Sequence, residues 1–218
     1  MANLILIIGE SGTGKSTSIA TLEPEETFII QVVNKPLPFR GFKNNYPLLT
    51  KEKPGGNRII AKDYSWILKT LQQIEINKKV KTVVIDDFQY VLSKEYMQRA
   101  MERGFDKFTQ MAQHYYDVIN FAQMMREDLN IIFLSHSENK EDGTSKVKTI
   151  GKLLDDKITV EGLFTIVLNT KIEDGEYFFE TQNNGFNTSK SPKGMFEEFK
   201  IPNDLKFVVD KVNEYYGG

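Results

Sequence analysis

The run Gly9-Glu-Ser-Gly-Thr-Gly-Lys-Ser16 constrains this chain more than any other stretch. It fits G-x-x-x-x-G-K-[ST], a loop that wraps phosphate groups. Its glycines let the backbone turn tightly and aim N–H groups at phosphate oxygens. Lys15 has the reach for β- and γ-phosphates, and the Ser16 hydroxyl suits Mg2+. Gly9, Ser11, Gly12, Thr13, Gly14, Lys15, Ser16 and Thr17 are therefore the expected nucleotide contacts. The apolar run Leu4-Ile-Leu-Ile-Ile8 leads into the loop, and a helix is expected over 15–22, ended by Pro24. That helix's positive N-terminal end would add to the pull on phosphate. Strand, glycine loop and helix in this order are the context the motif requires; a Gly-rich turn that binds nothing does not need them. The chain is expected to bind ATP with Mg2+.

Composition narrows the remaining choices. A length of 218 residues with 40% hydrophobic content suits one α/β domain and is not a disordered composition. The 28 Lys and Arg against 30 Asp and Glu leave a net charge of −2. No global basic field draws nucleic acid, so DNA or RNA binding must come from a local patch. The absence of cysteine excludes disulfides, thiol catalysis and Cys-ligated zinc. No basic stretch precedes the short N-terminal apolar run, and no apolar stretch approaches the ~20 residues of a membrane span. A cytoplasmic protein without signal peptide or membrane contact is expected.

Hydrophobic periodicity predicts strands at 3–9, 27–33, 82–88, 130–134, 163–169 and 177–180, with a short edge strand at 57–61. Helices are expected at 64–76, 91–103, 106–128 and 204–216, and 150–156 looks helical. Asp63 is the N-cap of the first of these, with Trp66, Ile67, Leu71 and Ile74 on one face. The stripe Phe108, Met111, Tyr115, Val118, Ile119, Ala122 and Met125 reads as core. Two prolines bar a regular element from 34–41, and 139–148 reads as a charged loop. Asp174-Gly175 signals a hairpin turn. The expectation is one domain spanning 1–218, with a mainly parallel central sheet and the segment from about 163 to 218 as its extension.

Several side chains are placed to do chemistry. Asp86 and Asp87 end an apolar strand, where open parallel sheets keep their ligands. Asp86 is assigned to Mg2+, and Asp87 to orienting or deprotonating the attacking water; the alternative for each is a strand-end cap. Glu10, inside the loop, is the rival base. Ser135 and His136 end the next strand, where a polar group can touch the γ-phosphate and sense it; a surface or structural histidine is the alternative. Lys140, Lys146 and Lys148 are placed to grip a DNA backbone, although Glu141 and Asp142 between them also fit a solvated loop. Lys152 or Lys157 would reach a neighbour's γ-phosphate only in a homo-oligomer. Of Tyr177, Phe178 and Phe179, at least one must face the core; base stacking is the alternative use.

The phosphate loop, Lys35-Pro-Leu-Pro-Phe39, Val84-Ile-Asp-Asp-Phe88, Phe133-Leu-Ser-His136 and Ser191-Pro-Lys-Gly-Met-Phe196 together resemble a group of bacteriophage P-loop ATPases. The resemblance runs nearly the full length in element order, and its specific motifs are the loop and the Asp86 strand. It implies an α/β fold, a RecA-like three-layer sandwich, and ATP hydrolysis in phage DNA recombination or replication. The implied partners are single-stranded DNA and a recombination or single-strand-binding protein. It also implies that the strand ending at His136 separates the loop strand from the Asp86 strand. RecA-type enzymes carry a catalytic glutamate at the end of the second strand, where this chain reads Val32-Val-Asn34-Lys35. The base is then Asp87 or Glu10, or hydrolysis is slow. Two other readings remain: a nucleotide-dependent switch or loader acting on a protein, and a small-molecule kinase. The kinase is disfavoured because Arg40, Arg58, Arg99, Arg103 and Arg126 form no lid cluster.

Overall fold

The computed structural model describes residues 1–141, 143–150, 154 and 158–217. Along the first half run β1 (Asn3–Gly9), β2 (Thr27–Gln31), α1 (Phe42–Asn45), β3 (Arg58–Ile60), α2 (Tyr64–Ile76), β4 (Thr82–Asp86) and α3 (Tyr90–Gln98). The second half adds α4 (Asp106–Gln123), β5 (Asn130–Asn139), β6 (Ser145–Val147), β7 (Ile166–Glu173), β8 (Glu176–Glu180), β9 (Lys200–Pro202) and α5 (Leu205–Tyr216).

Side-chain alternation explains the layering. In β1, Leu4, Leu6 and Ile8 enter one hydrophobic core, while Ile5 and Ile7 enter another on the opposite face. Val83 and Ile85 against Val84, and Ile131 and Phe133 against Ile132 and Leu134, divide in the same way. Strands apolar on both faces need a layer on each side, so the sheet becomes the middle of a sandwich. Helices α2 and α4 supply Ile67, Leu71, Met111, Tyr115 and Val118 to the first core. Helix α5 covers the second through Leu205, Val208, Val209 and Val212.

The strand order is β3-β2-β4-β5-β1-β7-β8-β9, with β6 pairing β5 off this path. Strands β3 to β7 of that path are parallel, and β8 and β9 join antiparallel at one edge. The strand ending near His136 thus separates the loop strand from the Asp86 strand, as the resemblance implies. Asp174 (φ 51°) and Gly175 (φ 84°) turn β7 into β8, so the C-terminal hairpin forms where its Asp-Gly signal stands.

Four expectations need correction. The helix expected over 15–22 is a 3-10 turn of five residues, Thr17–Thr21. Three of its five residues are β-branched and Pro24 follows closely, which leaves no length for an α-helix. Trp66 is off the core face, exposed beneath the Lys62 ammonium. The charged loop at 139–148 is largely an antiparallel hairpin: β5 runs on to Asn139, and Glu138 faces Lys146 of β6. The helices expected over 91–103 and 106–128 end earlier, at Gln98 and Gln123. The helical reading of 150–156 falls largely outside the described residues. No described helix is long and apolar enough to cross a membrane.

Candidate functional site

Gly9 closes β1 in register with His136 of β5. A Cβ at Gly9 would lie 1.9 Å from Thr170 Oγ1 of β7, so the strand can pass there only as glycine. The chain then takes positive φ at Gly12 (83°) and Gly14 (96°) on either side of Thr13. Alternating signs of φ turn successive N–H groups to one side, the concave nest that receives phosphate. Thr13 Oγ1 donates to the Glu10 carbonyl at 2.8 Å and pairs with the Thr170 hydroxyl, which fixes the curl. Lys15 Nζ donates to the carbonyls of Gly9 (2.8 Å) and Glu10 (2.6 Å). Burial pushes this amine down to about 8, against the opposing pull of Asp87 and Asp86.

Ser16 Oγ donates to Asp86 Oδ1 at 2.7 Å, joining residues 70 apart in sequence. Asp86 is 1% exposed, and burial followed by the neighbouring Asp87 charge raises its carboxyl to about 6. Gln31 Nε2 lies 3.5 Å from Asp86 Oδ2, and Arg58 Nη1 donates to Gln31 Oε1 at 2.7 Å. Neither the Ser16 hydroxyl nor the Gln31 amide brings a full charge into contact with this buried carboxylate. This donor set fits Mg2+, which takes one or two protein oxygens and fills its shell with water and phosphate. Among the described residues no cluster of three or more His, Cys, Asp or Glu forms an all-protein metal cage.

Asp87 follows with φ 62°, a left-handed conformation that a non-glycine residue adopts only under constraint. It reaches Lys35 Nζ at 2.5 Å through Oδ2 and His136 Nε2 at 3.6 Å through Oδ1. Burial pushes the Asp87 carboxyl up, but His136 and Lys35 outweigh it and hold the group below its ordinary value. For Lys35 burial opposes the charge, and the Asp87 hydrogen bond prevails to raise it. His136 is positioned by Gln89, whose Oε1 accepts from the His136 N–H at 3.1 Å, and its ring meets Tyr90 edge-on. Ser135 points the other way, fully buried against Tyr115 of α4.

The structure thus brings Lys15, Ser16, Asp86, Asp87 and His136 to one edge of the sheet. Glu10 is turned aside: its Oε1 accepts from Asn139 Nδ2 at 2.7 Å, tying the loop to the β5–β6 hairpin. Period-two alternation puts His136, Glu138 and Lys140 on the same hairpin face as Lys146 and Lys148. Lys146 is paired with Glu138 at 3.1 Å, whereas Lys140 and Lys148 are exposed. Lys152 and Lys157 lie outside the described residues.

Sequence reasoning missed Gln31, Arg58, Thr170 and the role of Lys35 as an ion-pair partner. It also missed a cavity of about 740 Å3 on the loop's other flank, lined by Thr17, Tyr177, Phe178 and Asn203 among others. Tyr177 and Asn203 close over Gly14 so tightly that a Cβ there would meet each at 2.9 Å. Asn203 Nδ2 is buried without a hydrogen-bond partner. A slightly larger cavity, about 800 Å3, opens beside Asn3 and Thr82, at the opposite ends of these strands from the phosphate loop.

A family model described as an AAA domain matches residues 1–193. The chain belongs to the AAA-domain family. With its phosphate loop, this membership makes it a nucleotide-binding P-loop protein. No curated protein matches it. Among solved structures, a KaiC-like protein from the hyperthermophilic archaeon Pyrococcus horikoshii is similar. Its TM-score is 0.49 and its identity 12%, over 81% of this chain and 77% of that one.

Proposed function

We propose that this AAA-domain chain is a Mg2+-dependent ATPase of phage DNA recombination or replication, acting with single-stranded DNA in the host cytoplasm. The observation that carries the ATPase reading is the 2.7 Å bond from Ser16 Oγ to Asp86 Oδ1 at the foot of the phosphate nest. It sets two oxygen ligands side by side where the phosphates of ATP would end. Mg2+ held by Ser16 and Asp86 would supply positive charge to offset the charge that develops on the phosphate oxygens. Lys15 leaves the loop carbonyls for the phosphates, and Ser16 and Asp86 hold the ion. His136 and Asp87 face the same edge, to sense the terminal phosphate and orient water. On the other flank the cavity beside Tyr177 and Asn203 would take the nucleoside.

The DNA setting is supported by the motif resemblance and by Lys140 and Lys148 on the hairpin face that also carries His136. That placement would couple a DNA contact to the terminal phosphate, and a recombination or single-strand-binding protein is the partner the resemblance implies. Residues 1–218 would act as one domain, alone or as a homo-oligomer. One observation favours a second reading, a nucleotide-dependent switch or loader. Asp87 is engaged by Lys35 and His136, and no glutamate ends β2, so the site is poor in free base. A kinase lid finds no support: Arg58, Arg99 and Arg126 are bonded to Gln31, Glu95 and Asp128.

The test is ATP hydrolysis by purified protein with and without single-stranded DNA, with Lys15→Ala as the blank. Turnover raised by DNA and absent from Lys15→Ala is expected. Turnover undiminished in Lys15→Ala would sink the ATPase assignment, and nucleotide binding without turnover would move the protein to the switch class. Reversing Lys140 and Lys148 to Glu should then flatten the salt dependence of DNA binding by about 0.7 per lost phosphate contact.

A further inference from the structure

The chain leaves β2 at Gln31 and runs through Val32-Val-Asn34 to bring Lys35, a cation, against Asp87. Its backbone is fixed by groups that also fix the metal end of the site. Gln31 Nε2, which lies beside Asp86, donates to the Lys35 carbonyl at 3.2 Å, and Val32 N–H donates to the Asp86 carbonyl at 3.0 Å. The side chain is freer than its anchor: Lys35 is 43% exposed and its partner Asp87 is 4% exposed. Asp87 is the fixed end of this pair and Lys35 the end that can swing.

We propose that Lys35 distinguishes a nucleoside triphosphate from a diphosphate, exchanging Asp87 for the terminal phosphate and so releasing the Asp87 carboxylate toward the attacking water. The proposal rests on the ATPase reading of the loop. Charge explains the exchange. Without nucleotide, the Asp86 and Asp87 carboxylates are balanced by the Lys15 and Lys35 ammoniums around one strand edge. A terminal phosphate brings about two further negative charges to that edge, and a doubly charged group outbids a single carboxylate for an exposed ammonium. Asp87 keeps its second contact, His136, which β5 holds in register with Gly9 at the start of the loop. The Asp87 side chain is buried where that of Lys35 is exposed, so the carboxylate does not follow Lys35 outward. In the diphosphate state Lys35 returns to Asp87 and the water loses its acceptor. The same lysine therefore serves as phosphate ligand in one state and as a latch in the other.

The experiment is calorimetric binding of Mg2+-ADP and of a Mg2+-bound, non-hydrolysable ATP analogue to wild type, Lys35→Gln and Lys35→Arg. The expected result is that Lys35→Gln loses about tenfold or more in affinity for the triphosphate analogue while ADP binding is unchanged. Lys35→Arg should restore the preference, because it keeps the charge. A Lys35→Gln protein with the wild-type ratio of the two affinities overturns the proposal. So does an equal loss for both ligands, which would mark Lys35 as a support for the loop. Wild-type protein that binds neither nucleotide would instead bring down the ATPase reading, and this inference with it.

Discussion

Lys15 carries its charge almost without water, leaning on two carbonyls of its own loop. Because burial lowers it to about 8 from 10.5, the unfolded chain holds a proton across that window that the folded chain has released. Stability from this group therefore rises with pH between those values. Nucleotide affinity moves the opposite way, since the neutral amine offers phosphate no charge. Titrating Mg2+-ATP affinity from pH 7 to 9.5 should show a fall beginning near pH 8 that Lys15→Ala, already weak, does not share. A flat wild-type profile would mean that the amine stays charged in the fold. Asp86 gives a second residue-level prediction. Asp86→Asn should lower affinity for Mg2+-ATP by at least the roughly 10–100-fold that outer-sphere metal partners are worth, and leave metal-free ATP nearly unaffected. Equal affinities for the Mg2+ complex in mutant and wild type would remove Asp86 from the metal site. That Lys15, Ser16 and Asp86 belong to one cluster is legible in sequence because contiguous motifs carry them. Gln31, Arg58 and Lys35 are not, because nothing in local spacing announces a contact made across the sheet.

Among the elements, the 3-10 turn at Thr17–Thr21 changes how the loop must hold anions. Five residues stack too few peptide dipoles to rival a full helix, so the curl at Gly12 and Gly14 carries more of the attraction than the sequence leads one to expect. Gly14 joins both demands, a φ of 96° and the close approach of Tyr177 and Asn203. Gly14→Ala should cost about 1–3 kcal/mol through backbone strain and displace Tyr177 as well, lowering both Tm and nucleotide affinity. Wild-type Tm in that variant would show that the loop relaxes at no cost. The two hairpins teach a lesson about signals. Asp174-Gly175 announces its turn between alternating residues, whereas the β5–β6 hairpin is hidden among charges. Lys146 opposite Glu138 makes a cross-strand ion pair, so charge that reads as solvated loop is in part strand pairing. Helix ends at Gln98 and Gln123 fall short of their periodic runs: past Gln123 the chain still packs Met125 on the core, whereas past Gln98 Ala100 and Met101 are exposed.

For the molecule as a whole, the strand order decides where function can be. β1 lies inside the sheet, flanked by β5 and β7, so the loop it carries is anchored on both sides. β4 and β5 end at the same edge, which gathers the acids and His136 there although they are 50 residues apart in sequence. The sequence foretold this arrangement only by resemblance, because hydrophobic runs specify strands and not their neighbours. The site draws on β1, β2, β4, β5 and, through Thr170, β7. It exists only when the sheet is assembled, so a ligand bound there must stabilise the whole fold and not one loop. Mg2+-ATP at 100 times its Kd should add about 2.7 kcal/mol. For a chain of this size that is a rise in Tm of about 5–11 °C. Lys15→Ala should lose the shift while keeping or slightly raising the ligand-free Tm, since a desolvated charge is gone. A shift that persists in Lys15→Ala would place the nucleotide somewhere other than this edge.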